Sequence, residues 1–370
     1  MDIYLDATPS LYLLRASLRG ADFMFEPATD TRPIWPAGTH ISLERLDAPD
    51  LLTYLNVSEE DPLEVLVASG RERIRAHGIS CRVSSRPRGG TQFMELVSAY
   101  PEHETLLAPD NGRVLALTPE GIVLSMAGML RKKERNGELT HLAAQITLLK
   151  LCLELCGTYA LNPKDPHKGS VTYKVKPPLT TKRLAAYLSE QGNEPGLSLA
   201  RSVLPHVFDK SGSPLESFAG TAFFGDPKIG GFALRRIEEG KVEVNETLKL
   251  SKAQKAMVNY RTITPDFTLS GHNAVVEIAG EVHKEGDNPR IDHVRQLDYA
   301  TLGILMLCFT YADIKDQHVC TRSAARIVDV LAETDPEVRE RFESLRKSRR
   351  FCQTQQMLIG VFRPRGQGLA

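Results

Sequence analysis

Tryptophan occurs once in the 370 residues, aromatic residues make up only 6%, and neither sign of charge prevails, with 46 Lys and Arg against 46 Asp and Glu. A chain without net charge is not drawn onto nucleic acid or membrane by its total field, so any such partner has to be met by a local basic face. The sequence has no low-complexity tract and no repeat at a fixed period, which excludes collagenous and solenoid classes. Its longest mostly apolar run, Tyr299 to Ala312, is broken by Gly303 and is too short to span a bilayer, so no membrane partner is expected. No CxxC pair occurs among Cys81, Cys152, Cys156, Cys308, Cys320 and Cys352. Cys152 and Cys156, four apart in an apolar helical pattern, share a helix face. The expectation is reduced core thiols, not a disulfide or zinc framework. The opening Met-Asp-Ile-Tyr-Leu-Asp has neither the basic n-region nor the apolar core of a signal peptide, and a cytoplasmic location is expected. A Walker loop and a G-x-G-x-x-G turn are also missing, so no nucleotide cofactor is indicated.

What is present is ordinary globular material, 42% hydrophobic and 25% charged, enough to bury a sizeable core. Thr8-Pro9-Ser10 followed by the apolar run Leu11–Leu18 predicts a first helix that starts at that cap. Leu63–Ser69, Ile79–Ser84 and Arg113–Leu117 read as strands. Residues 122–160 are the most helical stretch, and Lys182–Leu188 and Leu197–Val207 read as further helices. The turn cluster Asp209-Lys210-Ser211-Gly212-Ser213-Pro214 is the expected boundary between an α/β or α+β module (1–208) and a second domain (209–370). Beyond it come helix (215–224), strand (242–250), hairpin (263–278), helix (291–302), strand (304–310), helix (317–332) and a last helix (336–357). That order implies an α/β layer with a small mixed central sheet flanked by helices.

Three carboxylates stand out. Thr264-Pro265-Asp266-Phe267-Thr268-Leu269 and Ala274-Val275-Val276-Glu277-Ile278 flank the turn residues Ser270-Gly271-His272-Asn273. If those four form the loop, Leu269 pairs with Ala274 and Asp266 falls opposite Glu277, Cβ atoms ~5 Å apart on one sheet face. Facing carboxylates repel unless something compensates. A hard cation such as Mg²⁺ or Mn²⁺ would do so, taking carboxylate oxygens and the Ile278 carbonyl. Otherwise the pair never meets, or Asp266 caps a turn and Glu277 pairs with an arginine. The third acid, Glu216, lies in Ser213-Pro214-Leu215-Glu216, which also spells a capping box. A carboxylate that holds a backbone N–H has fewer lone pairs left for a metal.

Ser-Pro-x-Glu opening a helix, Pro-Asp-Phe on one strand and Val-Val-Glu-Ile-x-Gly on the next resemble the PD-(D/E)XK nuclease superfamily. Over about residues 211–332 the likeness is to domains related to the very-short-patch-repair endonuclease. His283, then Asp292, Arg295 and Gln296 on a helix, and the strand-like Gly303-Ile304-Leu305-Met306-Leu307 continue the pattern. The N-terminal half resembles regions found ahead of such domains in proteins akin to abortive-infection antitoxins of the AbiEi type. The carrying residues are Ser10–Arg15, Leu117-Thr118-Pro119-Glu120 and Leu153–Tyr159. The resemblance implies a restriction-endonuclease-like fold and Mg²⁺-dependent hydrolysis of phosphodiesters, most naturally in DNA. Asp266, Glu277 and the Ile278 carbonyl would hold the metal. Glu216 would complete the outer coordination, and His283 or Lys284 would orient water. The superfamily's lysine would fall at Ala279, so one helper is missing, and the domain is alternatively a relic that no longer cuts.

Basic side chains supply the local face that nucleic acid would need. Arg295 and Tyr299 lie four apart on one side of a predicted helix, with Val294 and Leu297 turned to the core. The tail carries Arg339, Arg341, Arg346, Lys347, Arg349, Arg350, Arg363 and Arg365 against Glu340 and Glu343. Arg86-Pro87-Arg88-Gly89-Gly90 is a further basic loop. The competing class is an antitoxin-like, non-enzymatic regulator that binds DNA or a partner protein. Convergence of Glu216, Asp266 and Glu277 with an open mouth favours the enzyme. Glu216 locked on backbone amides with an arginine between the other two favours the regulator.

Overall fold

The computed structural model describes residues 3–28, 63–67, 79–83, 92–99, 113–163, 170–234, 242–280 and 288–363. The loops at 32–36 and 85–91, the segment 71–77, His283, Lys284, Arg365 and the side chain of Asp292 lie outside what is described. In chain order the first elements are β1 (Ile3–Tyr4), α1 (Ala7–Leu18), β2 (Phe23–Pro27), β3 (Leu63–Val67), β4 (Ile79–Val83), β5 (Phe93–Ser98), β6 (Val114–Leu117), α2 (Pro119–Arg135) and α3 (His141–Leu155). β7 (Tyr159–Ala160), β8 (Thr172–Tyr173), α4 (Thr181–Glu190), α5 (Leu197–Val203), α6 (Pro214–Phe224), β9 (Val242–Val244) and α7 (Lys252–Met257) follow. The chain continues with β10 (Phe267–Leu269), β11 (Ala274–Ala279), α8 (Asn288–Thr301), β12 (Leu305–Thr310), α9 (Gln317–Leu331), α10 (Glu337–Lys347) and α11 (Arg349–Phe362). This is a mixed α/β protein.

Backbone contacts divide the chain into two units: Met1–Glu138, Ala160–Arg201 and Pro364–Ala370 form unit 1, and Leu139–Tyr159 with Ser202–Arg363 form unit 2. The division is not a single cut in the turn at 209–214, because α3 belongs with the C-terminal elements. Residues Leu148, Leu149, Leu151, Cys152, Leu153 and Leu155 of α3 are all buried, and a helix apolar nearly all round has to be enclosed. It packs against α11 and α6. The 122–160 stretch is therefore two helices, separated after Arg135 and restarted by Thr140, whose hydroxyl accepts from Ala143 N–H at 3.1 Å.

In unit 1 a four-stranded sheet runs β1-β6-β5-β2, with β1 and β6 parallel and the other pairs antiparallel; β3 and β4 form a parallel pair. Leu5, Leu13, Ala16, Phe23, Leu63, Val65, Leu96 and Val114 make one core cluster. The first helix starts earlier than its Thr-Pro-Ser sequence suggests. Asp6 is the cap, accepting from Ala7 N–H at 2.6 Å, and Pro9 sits inside the first turn, where its missing N–H costs nothing. Asp6 is buried and is also held by Arg82 and by Ser125 Oγ at 2.9 Å.

In unit 2 the sheet order is β12-β11-β10-β9. β11 pairs parallel with β12 and antiparallel with β10, and β10 pairs antiparallel with β9. β11 is an inner strand, and Ala274 through Ile278 are all buried, which is why its sequence is apolar on both faces apart from Glu277 rather than alternating. The strand at 242–250 is only three residues long. The hairpin register is Phe267↔Val276, Thr268↔Val275 and Leu269↔Ala274. α6 lies on β11, and Gly220 lets Phe208 and Phe267 close over it: a Cβ there would stand 2.6 Å from Phe208 Cζ and 3.0 Å from Phe267 Cζ. The final helix is split at Ser348, whose hydroxyl accepts from Phe351 N–H at 3.3 Å to start α11. Phe342 of α10 and Phe351 of α11 then both reach Phe232.

Candidate functional site

Continuing the hairpin register one pair beyond Phe267↔Val276 sets Asp266 opposite Glu277. Asp266 Oδ2 accepts from Ile278 N–H at 2.6 Å. In an antiparallel pair the N–H and C=O of one residue point to the same side, so the Ile278 carbonyl faces the Asp266 edge as well. Asn245, at the end of β9 with φ of 50°, donates its backbone N–H to the Asp266 carbonyl at 3.0 Å. Asn is among the few residues that adopt this left-handed conformation at little cost.

Glu216 enters from the first turn of α6. Ser213 Oγ accepts from Glu216 N–H at 3.1 Å, which is half of a capping box. The other half is redirected. Glu216 Oε2 reaches past the cap to Gly212 N–H at 2.7 Å and also accepts from Asn245 Nδ2 at 2.8 Å. Gly212 permits this approach, since a Cβ there would sit 2.9 Å from Glu216 Oε2.

Among the described residues, the cation that meets these acids is a guanidinium. Arg295 Nη2 lies 3.0 Å from Glu277 Oε1 and also donates to the Thr264 carbonyl. Tyr299, one turn along α8 and fully buried, donates its hydroxyl to the same Glu277 oxygen. The inward face of α8 thus differs from the expected one. Leu297 is 49% exposed, whereas Asp298 and Tyr299 are buried, because the helix is oriented by the acids it contacts rather than by its aliphatic residues. Asp298 accepts from Asn259 N–H and Nδ2, both at 2.8 Å, and from Tyr260 N–H at 2.9 Å.

Three carboxylates share one guanidinium, and the titration of the group reflects it. Asp266 is pushed well above the usual carboxylate range, first by burial and then by Glu216 and Glu277. Glu216 is raised by burial, although Asn245, Gly212, Ser213 and Arg295 pull it back. The Tyr299 phenol is raised by burial and by the Glu277 carboxylate, so it stays a neutral donor.

As a donor set, carboxylates and a carbonyl suit a hard cation. Their commitments do not fit one as arranged: Glu216 is held by Gly212 and Asn245, Glu277 by Arg295 and Tyr299, and Asp266 by Ile278 N–H. Among the described residues no three His, Cys, Asp or Glu side chains are placed to hold a metal ion. No local pattern in the sequence marks Asn245, and only the i,i+4 spacing of Arg295 and Tyr299 points to the Tyr299 hydroxyl.

The tail is less basic than it reads. Arg339 pairs with Asp329, Arg341 with Asp335 and Glu337, and Arg346 and Lys347 with Glu343. Arg349, Arg350 and Arg363 are exposed without an ion pair to a described residue. The six cysteines are free thiols, and burial pushes Cys152 and Cys320 up to about 12, which leaves them unreactive. Among the described residues no helix is long and apolar enough to cross a membrane. No family model, curated protein or solved structure matches the chain.

Proposed function

We propose that unit 2 is a restriction-endonuclease-like domain that has kept the acidic constellation but closed it with its own arginine, and that the protein acts as a non-cutting, antitoxin-like regulator that binds DNA. One observation carries this reading. Arg295 sits on Glu277 inside the acid cluster while Glu216 is held by Gly212 N–H and Asn245. Ala279 in the place of the superfamily's lysine supports it. The hairpin followed by a parallel strand across a helix, β10-β11-α8-β12, supports the nuclease-like frame, and Arg349 and Arg350 provide unneutralised charge for phosphates.

A second reading, Mg²⁺- or Mn²⁺-dependent phosphodiester hydrolysis, is favoured by the raised titration of Asp266, which marks an excess of negative charge that one arginine does not balance. It requires Arg295, whose side chain is 34% exposed, to withdraw.

Calorimetric titration with Mg²⁺ and Mn²⁺ separates the two. The regulator reading expects no Asp266-dependent heat from the wild type, and Mn²⁺ binding to appear in Arg295→Gln and vanish again in Arg295→Gln combined with Asp266→Ala. Wild-type binding abolished by Asp266→Ala alone would overturn that reading and favour the nuclease.

A further inference from the structure

Between Thr247 and Pro265 the chain has no Asp or Glu and carries Lys249, Lys252, Lys255 and Arg261. The segment is an arch with a fixed base. Leu248 N–H donates to the Ile263 carbonyl at 2.9 Å, and the hydroxyls of Thr247 and Thr264 meet at 2.9 Å. Leu248, Leu250, Val258 and Ile263 anchor its two feet on Val275 and Tyr299. Its crown, α7, is closed by a full capping box, with Gln254 N–H on Ser251 Oγ at 3.2 Å and Ser251 N–H on Gln254 Oε1 at 2.9 Å. Yet α7 buries none of its residues.

A short helix that adds nothing to the core and is still capped at one end and tied down at both feet is built to present its side chains. Lys249, Lys252, Lys255 and Arg261 are all exposed, and among the described residues none has an ion-pair partner. The tail helix α10 is the opposite case, each of its arginines being paired with an acid. Beside the four cations stand two of the few exposed large apolar side chains among the described residues, Met257 at 62% and Tyr260 at 39%. Tyr260 is not loose. Its backbone N–H is held by the buried carboxylate of Asp298, on the helix that also carries Arg295.

We propose that the arch 247–265 is a single-stranded DNA-binding surface, on which Lys249, Lys252, Lys255 and Arg261 contact successive phosphates and Tyr260 stacks an unpaired base. Cations in an acid-free run bind the polyanion irrespective of sequence, and an exposed aromatic ring among them selects unpaired bases, because only those offer a free face. The inference names the surface and the form of the DNA partner proposed above. It rests on that partner but not on whether the acid cluster holds a metal.

The test is fluorescence polarisation with a labelled oligothymidylate of about 20 nucleotides, a duplex of the same length, and phosphatidylcholine vesicles containing about one-third phosphatidylserine. The wild type is expected to bind the single strand with a log–log salt slope of about −3, four contacts at about 0.7 each. Combined Lys249→Ala, Lys252→Ala, Lys255→Ala and Arg261→Ala should weaken this at least tenfold and flatten the slope, with far-UV circular dichroism unchanged since every altered side chain is exposed. Tyr260→Ala should cost about tenfold on the single strand and little on the duplex. Absence of single-strand binding by the wild type, an unaffected quadruple variant, or arch-dependent binding to vesicles but not to the oligonucleotide would each overturn the proposal. Loss of DNA binding only in Arg349→Ala with Arg350→Ala would remove the arch while sparing the DNA-binding part of the proposed function.

Discussion

Tyr299→Phe probes the cluster with the least disturbance. The ring is fully buried beside Val275 and Ile263, and phenylalanine fills the same volume. What disappears is one hydroxyl, which donates to Glu277 Oε1 and accepts from the Arg295 guanidinium. The acceptor is a carboxylate with 8% exposure, so water does not freely replace the lost donor. A hydrogen bond to a charged group contributes about 1.5–3 kcal/mol, and leaving a buried acceptor short costs as much again at the upper end. Arg295 still contacts the same oxygen at 3.0 Å, which places the expected loss near the lower end, about 2 kcal/mol. With a denaturant dependence of about 3 kcal/mol/M in urea, the unfolding midpoint of unit 2 should fall by about 0.7 M without a change of slope. Because the phenol stays neutral, the loss should be the same at pH 6 and pH 8. Glu277→Gln keeps an acceptor but removes the charge, so a double-mutant cycle with Tyr299→Phe should show a coupling of about 1 kcal/mol or more. A midpoint unmoved by Tyr299→Phe, or a coupling near zero, would refute the claim that Tyr299 fastens Glu277.

The acid cluster should make stability fall with rising pH. Asp266 titrates above its unfolded value, chiefly through burial and then through Glu216 and Glu277; the folded protein therefore binds the extra proton, and the stability it contributes is present below about pH 4 and lost as pH rises through the folded value. Asp266→Asn, which still accepts from Ile278 N–H, should accordingly be more stable than wild type at pH 8 and no better at pH 4; urea midpoints across that range decide, and an Asn variant that is weaker at pH 8 would contradict the charge-excess argument. In unit 1, Asp6→Ala removes the α1 cap together with the contacts to Arg82 and Ser125. Arg82 is 37% exposed and stays solvated without its partner, so the loss is that of a buried helix cap, about 1–2 kcal/mol, enough to lower the thermal midpoint by several degrees in calorimetry, and a shift under one degree would deny Asp6 that role. The metal titration of Arg295→Gln and the oligonucleotide binding of the arch variants, described above, test the two halves of the functional reading separately.

Local patterns in this sequence carry much of its architecture. A four-residue turn between two strand-like runs permits one antiparallel register, so the facing of Asp266 and Glu277 is legible from spacing, as is the mixed α/β class from the order of helices and strands. Ser213 before Pro214 spells a helix start, and the structure has one there. Three matters were decided only by tertiary contacts. The membership of α3 in unit 2 depends on which buried faces it meets in α6 and α11, and a helix that is apolar all round does not name its partners. A hydrophobic pattern turns Leu297 of α8 to the core because it lets the core attract only apolar groups, whereas Arg295, Asp298 and Tyr299 turn inward to satisfy carboxylates and backbone amides brought from other elements. The charge state of the tail and of the arch was likewise invisible: a run of arginines reads the same whether or not acids from neighbouring turns and helices neutralise it. Periodicity and turn chemistry act over a few residues and survive in the sequence, but the pairing of charges across distant elements exists only once the chain has folded.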